Sequence, residues 1–320
     1  MTAAQLRFWA RVNRRVAVRS NDLARATLLA FEILRRALPE AELARIIARR
    51  DVVGAIQAAL TPEVFDRAFS PVRTQVRENL ADAVRYHTRD LPNGGKVDGV
   101  LAVTFDHLSP NVITAIRTIE TSALETIQSD VRETVRLLVE QSLREKLGSG
   151  SAVREIKAAI GLPPHAVDYV ANLREELTTG RLAAASQRAL LDQRFSLRAL
   201  EKLSPAEREA RIDKIVALYR DATIENNAVT VSRQLTVDAF KQGQSIAWDD
   251  AKDKGVIPDG FQVMKQWIGI GDEREREEHL AMNNEIVPAD QPYSNGQMRA
   301  GEGDWNCRCL DRYFVSRAGV

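Results

Sequence analysis

The sequence predicts a mainly α protein: multi-helix N-terminal and middle regions, followed by a small loop-rich α+β module at the C-terminus. Three observations carry this. Aromatic residues make up 6% of the chain and only 17 of 320 residues are glycine, both low for a sheet-rich fold. Apolar residues recur at steps of three and four over long stretches, the period of an amphipathic helix. Past Gly255 the texture changes, with Pro258, Gly260, Gly269, Gly271, Pro288, Pro292, Gly296, Gly301 and Gly303 punctuating the remainder.

In chain order, Ala3 to Leu38 reads as amphipathic helix. It is interrupted near Ser20-Asn21-Asp22, a cap for a second helix carrying Leu23, Ala26, Leu29, Ala30, Ile33 and Leu34. Pro39 ends that helix; short helices follow around Leu43 to Ile47 and from Val52 to Leu60, and Pro62 starts another. Leu91-Pro92-Asn93-Gly94-Gly95 has turn chemistry, and Gly99 to Phe105 is apolar and β-branched enough for a strand or buried connector. Ser109 and Pro110 head the longest helix, whose stripe of Ile116, Ile119, Ala123, Ile127, Val131, Val135 and Leu138 is expected to face a partner.

Gly148-Ser149-Gly150 then reads as a flexible hinge. The expected division is therefore serial: a helical region over 1–150, a helical middle over 151–255 and a small module over 256–320. In the middle region Gly161 closes one short helix and Pro163-Pro164 opens the next. Ser204-Pro205-Ala206-Glu207 has the capping-box spacing with proline at the first helical position, so a helix runs through Ile212, Ile215, Val216 and Tyr219, continuing through a kink to Ala247. In the module, Phe261 to Ile268 and Glu285 to Val287 are strand candidates.

The 45 basic and 44 acidic residues nearly cancel, so overall charge gives no argument for a nucleic-acid or membrane partner. Distribution is more informative: the first fifty residues hold eleven arginines against four acids. Arg7, Arg11, Arg14, Arg15 and Arg19 form the candidate surface for DNA or for an acidic face of a protein partner. The two cysteines form one C-x-C pair, which argues against a secreted disulfide scaffold and for a reducing compartment. No apolar run approaches the roughly 20 residues of a membrane span, and no signal-peptide pattern opens the chain.

Chemistry concentrates between Asp272 and Cys309. Two thiols and an imidazole in a loop-rich module with little apolar material are what a structural zinc site uses, because the metal replaces the missing core. His279, Cys307 and Cys309 would supply three ligands, with Asp272 the nearest carboxylate candidate and Asp304 and Asp290 behind it. The plainer alternative puts the two cysteines on opposite faces of a short strand and lets His279 hydrogen-bond locally. Arg274 and Arg276 lie among Asp272, Glu273, Glu275, Glu277 and Glu278, either as a solvated helix start or as a brace. In the brace, Asp272, Arg274, Arg276 and Asn306 tie the acidic segment to the Asn306-Cys307-Arg308-Cys309 turn through a bidentate Arg-carboxylate pair. A catalytic zinc deaminase would need H-x-E and P-C-x-x-C, and that pattern is not met; G-x-S-x-G, H-E-x-x-H and the phosphate-cradling G-x-x-x-x-G-K-[ST] do not occur either.

The order W-x4-D-x-R-x-R-x-x-H (Trp267 to His279), V-P-x-D (Val287 to Asp290) and N-C-R-C (Asn306 to Cys309) resembles the C-terminal domain of phage head morphogenesis proteins, the phage Mu protein F-like minor head proteins. Similarity extends upstream, at falling strength, to Ser151, through Gly161-Leu162-Pro163-Pro164, Arg194-Phe195 and Val231-Ser232-Arg233. The chain departs from the family at Ser232-Arg233-Gln234-Leu235, where members carry A-R-T-E, and at Asn284, where members carry glycine. The resemblance implies a non-enzymatic minor structural protein of a tailed-phage or prophage-derived head. Such a protein is made in the bacterial cytoplasm and built into the virion near the portal. Its expected partners are the portal protein, the major capsid or scaffolding protein and packaged double-stranded DNA, with no membrane and no small-molecule substrate. Two other classes compete with this reading. A toxin-associated or zinc-dependent enzyme module needs a sheet-rich domain for which the helical stretches leave no room, and a DNA-binding protein proper needs a dense basic face beyond the first fifty residues.

Overall fold

Local signals start most helices, and burial decides how far they run. The computed structural model describes residues 2–304 and 307–317. Helix α1 (Ala3–Ala37) is continuous, so the break expected at Ser20 does not occur. Val12, Val16, Ser20, Leu23, Thr27, Phe31 and Leu34 are all buried at steps of three and four. An unbroken stripe outweighs one serine's preference for a cap, and the Ser20 hydroxyl instead donates to the Ala17 carbonyl at 3.0 Å. Helices α2 (Glu40–Ala48), α3 (Val52–Ala59) and α4 (Pro62–Ala68) follow. Asp51 and Thr61 cap the latter two by accepting from the backbone N–H of Gly54 and Val64. Helix α5 (Ser70–His87) comes next.

The strand expected over 99–105 reduces to a minimal hairpin, β1 (Lys96–Val97) with β2 (Val100–Leu101). Its turn residues, Asp98 and Gly99, both have positive φ (49° and 81°), as a tight hairpin turn requires. Helix α6 (Pro110–Arg144) begins at its proline. Ile119, Ile127, Val131 and Val135 are buried within this chain and Ile116 and Leu138 partly so, so most of the stripe predicted to face a partner is already covered. Helix α7 (Ser149–Ala159) starts inside the expected hinge, with Gly148 as its N-cap. The glycines there begin a helix instead of separating domains. Helices α8 (Pro164–Thr178), α9 (Leu182–Ser186) and α10 (Pro205–Asp253) complete the helical part before the module. Helix α10 is one element of 49 residues that ends at Asp253, beyond the expected end at Ala247. Its capping box is complete: the Ser204 N–H donates to Glu207 Oε2 at 3.0 Å, and the Glu207 N–H returns to Ser204 Oγ at 3.5 Å.

The module contains β3 (Phe261–Ile268), the short helix α11 (Glu277–Met282), β4 (Ile286–Pro288) and β5 (Leu310–Arg317). The strands form an antiparallel sheet in the order β4-β3-β5, with Lys265 opposite both Val287 and Tyr313. Strand β5 is not among the strands that the sequence predicts. A mainly α fold with a small α+β C-terminal part is thus what the chain forms.

Two compact units divide the chain, and neither is a continuous stretch. One comprises residues 1–23, 72–123 and 230–320, the other 24–71 and 124–229. This differs from the serial 1–150, 151–255, 256–320 scheme because α1, α6 and α10 each supply residues to both units. The second unit has a core of Leu173, Leu177, Leu191, Leu200, Ile212, Ile215 and Tyr219. There Gly161 takes φ +93° with the Phe31 ring where a Cβ would stand, and Thr134 and Asn227 donate to the carbonyls of Leu162 and Gly161. In the first unit Val12 and Val16 of α1 pack with Ala83 of α5, Val237 and Phe240 of α10 and Leu310 of β5. Gly243 lets α10 approach α5 closely: a Cβ there would lie 2.5 Å from that of Ala83. Buried Asn79 donates to Thr236 Oγ1 at 3.1 Å across the same pair.

Candidate metal centre

The site belongs to the unit that contains the sheet. Strand β3 presents Val263, Lys265 and Trp267 on its covered face, and Trp267 is the platform of the site. The His279 ring stands edge-on to it at 5.3 Å and Tyr293 at 5.1 Å. His279 sits on α11, and the chain entering β5 brings Cys307 and Cys309 to the same place. His279 Nδ1 lies 3.5 Å from Cys307 Sγ and 3.7 Å from Cys309 Sγ. All three side chains are buried, and their donor atoms lie within 4.8 Å of one another, a group able to hold a metal ion. The two thiols therefore share one site, in contrast to the alternative of opposite strand faces.

Each donor is positioned from behind. His279 Nε2 faces Asp304 Oδ2 at 3.1 Å, and that oxygen also accepts from Gln297 Nε2 at 2.8 Å. This arrangement orients a ring whose Nδ1 is aimed at the thiols. Burial pushes the Asp304 carboxyl up, but the Gln297 hydrogen bond and the charges of His279 and Arg276 hold it below its usual range. The thiols are unequal: the hydrogen bond from Cys309 lowers Cys307 to about 6 against the opposing effect of burial. The same bond, with burial and the nearby charges of Cys307 and Glu275, pushes Cys309 up. Gly301, at φ +64°, makes room for the Cys307 sulfur, which a Cβ there would strike.

Asp272, expected as a fourth ligand, is committed elsewhere. It forms a fork with Arg308, Oδ2 to Nη1 at 2.7 Å and Oδ1 to Nη2 at 2.5 Å, and that pair keeps the Asp272 carboxyl below its usual range. The fork spans 36 residues and is the bidentate type of contact anticipated for the brace, but its arginine is Arg308. Arg274 contributes its backbone N–H to Asp272 at 3.1 Å, and Arg276 lies 3.9 Å from Asp304. Both line a cavity of about 160 Å³ with Ile270, Glu275, His279 and the cysteines. Asn306 lies outside the described residues. Asp290 is exposed and takes no part in the donor group.

Other positions that hold the module together carry no signal in the sequence. Lys265 is fully buried and donates to the carbonyls of Met298 at 2.6 Å and Ala289 at 3.1 Å. Lys241 of α10 donates to the Ala300 carbonyl at 2.5 Å. Asp311, also buried, accepts from Tyr293 Oη at 2.7 Å and from the Ala300 N–H at 3.0 Å. The loop between β4 and β5 thus has polar clasps where a larger domain would have apolar packing. Asn284 takes φ +75°, a left-handed conformation that asparagine and glycine tolerate best.

The N-terminal arginines divide. Arg11 pairs with Asp90 at 2.8 Å, and Arg15 and Arg19 both fork onto Asp82 of α5. One turn apart on α1, the three present one face to these acids, so they act within the fold. Arg7 and Arg14 are exposed. No family model, curated protein or solved structure shows a significant match to the chain.

Proposed function

We propose that the chain is a minor structural protein of a tailed-phage or prophage-derived head, and that zinc staples its C-terminal module. The observation carrying this reading is the convergence of the motif from Trp267 to Cys309 on one centre whose polar groups hold chain segments to each other. Asp272 grips Arg308, Asp304 orients His279, and the two cysteines face that histidine. Asn284, standing where the resembled family has glycine, adopts a backbone that glycine would favour. Zinc suits the donor set: with Zn–S near 2.3 Å and Zn–N near 2.0 Å, a tetrahedral site has S···N edges of about 3.6 Å. The edges here are 3.5 and 3.7 Å. The bound ion would supply the cross-link that a small apolar cluster of Trp267, Tyr293, Ala300, Cys307 and Cys309 does not.

An enzymatic role for the same centre has less support, since a cavity of about 160 Å³ is below the roughly 300 Å³ at which small-molecule sites begin. A primary DNA-binding role is weakened by the commitment of Arg11, Arg15 and Arg19 to Asp90 and Asp82. No helix among the described residues is long and apolar enough to cross a membrane. In this reading the partners are the portal and the major capsid or scaffolding protein, with packaged DNA as a secondary contact through Arg7 and Arg14. The test is the composition of particles purified from the host that carries the gene. The chain should be present at a fixed ratio to the portal, and its deletion should yield defective heads; particles that lack it and assemble normally without it would contradict the proposal.

A further inference from the structure

We infer that Glu275 is the fourth ligand of the metal centre, so that the site is a closed His-Cys-Cys-Glu set with no coordination position left to water or substrate. The inference rests on the zinc reading above and adds a residue and a coordination state to it. Glu275 Oε1 lies 3.4 Å from Cys309 Sγ, close to the roughly 3.6 Å edge between sulfur and oxygen in a tetrahedral zinc site; it stands outside the group of His279, Cys307 and Cys309 whose donor atoms lie within 4.8 Å of one another, so it would close onto the ion as the ion binds. The other carboxylate oxygen accepts from the Gly271 N–H at 2.5 Å, which holds the group from behind and leaves Oε1 on the thiol side.

The backbone is shaped to admit this carboxylate. A Cβ at residue 269 would collide with Glu275 Oε1, as a Cβ at 301 would collide with Cys307 Sγ. Glycines therefore stand at two places where donor atoms press against the main chain. The other candidate carboxylates are engaged or remote: Asp272 in the Arg308 fork, Asp304 on His279 Nε2, Asp290 in solvent. Two thiolates and a carboxylate around a dication leave a net negative charge. Arg274, Arg276 and Arg308 line the same cavity and would offset it. On metal uptake the thiol protons go to solvent, so loading is favoured as pH rises.

A closed site and an open one differ in their response to an added anion. The experiment uses the full chain loaded with Co(II), whose visible spectrum reports coordination, titrated with azide and with a competing chelator. Wild type should be silent to azide. Glu275→Gln should become azide-responsive and bind metal about tenfold or more weaker, and Gly269→Ala, which displaces the same carboxylate, should do likewise. Asp272→Asn loosens the brace without removing a ligand and should stay azide-silent. The inference is overturned if wild type responds to azide as the variant does, if Glu275→Gln keeps wild-type affinity and silence, or if Asp272→Asn opens the site equally. A wild-type chain that takes up no metal overturns both this inference and the zinc reading, whereas loss of metal in Cys307→Ser with no effect of Glu275→Gln overturns only this one.

Discussion

At the level of single residues, the groups visible in the sequence were those whose chemistry is scarce in this chain. With two cysteines and four histidines among 320 residues, Cys307, Cys309 and His279 stand out by rarity alone. Glu275 does not, because it sits among Glu273, Glu277 and Glu278, and Arg308, although it stands between the two cysteines, gains its role only from the Asp272 that folding places opposite it. Lys265 and Lys241 are harder still: lysine reads as surface, yet both are buried against carbonyls. The basic N-terminus misled for a related reason, since composition counts arginines without showing that Asp82 lies under two of them. Asp82 yields a prediction of its own. Burial pushes its carboxyl up, but the hydrogen bonds and charges of Arg15 and Arg19 prevail and hold it well below the usual carboxylate range. A depressed folded-state pKa means that the stabilisation is complete above the unfolded value of 3.8 and is lost as pH falls below it. Asp82→Asn should cost about 2 kcal/mol at neutral pH. Its stability should fall less steeply than that of wild type below about pH 4, read by urea unfolding across a pH series.

Among elements, helix beginnings were more legible than helix ends or strands. Pro62, Pro110, Pro164 and Pro205 each stand at a first helical position, because proline there forfeits no hydrogen bond. Ser20-Asn21-Asp22 offered an equally local signal and was overridden by the buried stripe that runs through it. Strand β5 went unseen because Leu310 to Arg317 alternates poorly in sequence; its partner β3, with Val263 and Trp267 two apart from Lys265, gives the register. Ser204→Ala should cost about 1 kcal/mol in a two-state unfolding experiment, by removing the hydroxyl that accepts from the Glu207 N–H and donates to its carboxylate while the Ser204 N–H keeps its bond to Glu207. Gly243→Val tests the approach of α10 to α5. A side chain there meets Ala83 and the Val84 N–H, so the variant should lose about 1–3 kcal/mol or more despite any gain in helix propensity.

For the molecule as a whole, the division into units was the least legible feature. A Gly-Ser-Gly sequence marks a hinge by composition, but whether a chain separates there depends on which distant segments pack together, and a single sequence does not encode that locally. Each unit draws on discontinuous stretches, so a chain cut at Gly148–Gly150 should yield two fragments that are poorly folded alone. Residues 151–320 lack the α1 and α5 segments on which Phe240 and Leu310 pack. The expected result is weak, non-cooperative thermal melting for each fragment, against a cooperative transition for the full chain. An independently folded 256–320 module would contradict this, since Lys241 on α10 clasps its Ala300 carbonyl.

In the proposed function a metal and polar braces hold the C-terminal module in place of a large core. Metal content by native mass spectrometry, paired with hydrogen exchange over residues 270–310 before and after chelation, measures this directly. One zinc per chain, lost on chelation or in Cys307→Ser with Cys309→Ser, and a matching loss of protection confined to that segment, is the expected outcome. Freshly reduced protein that carries no metal, and whose protection is unchanged by added zinc or by chelator, would contradict it.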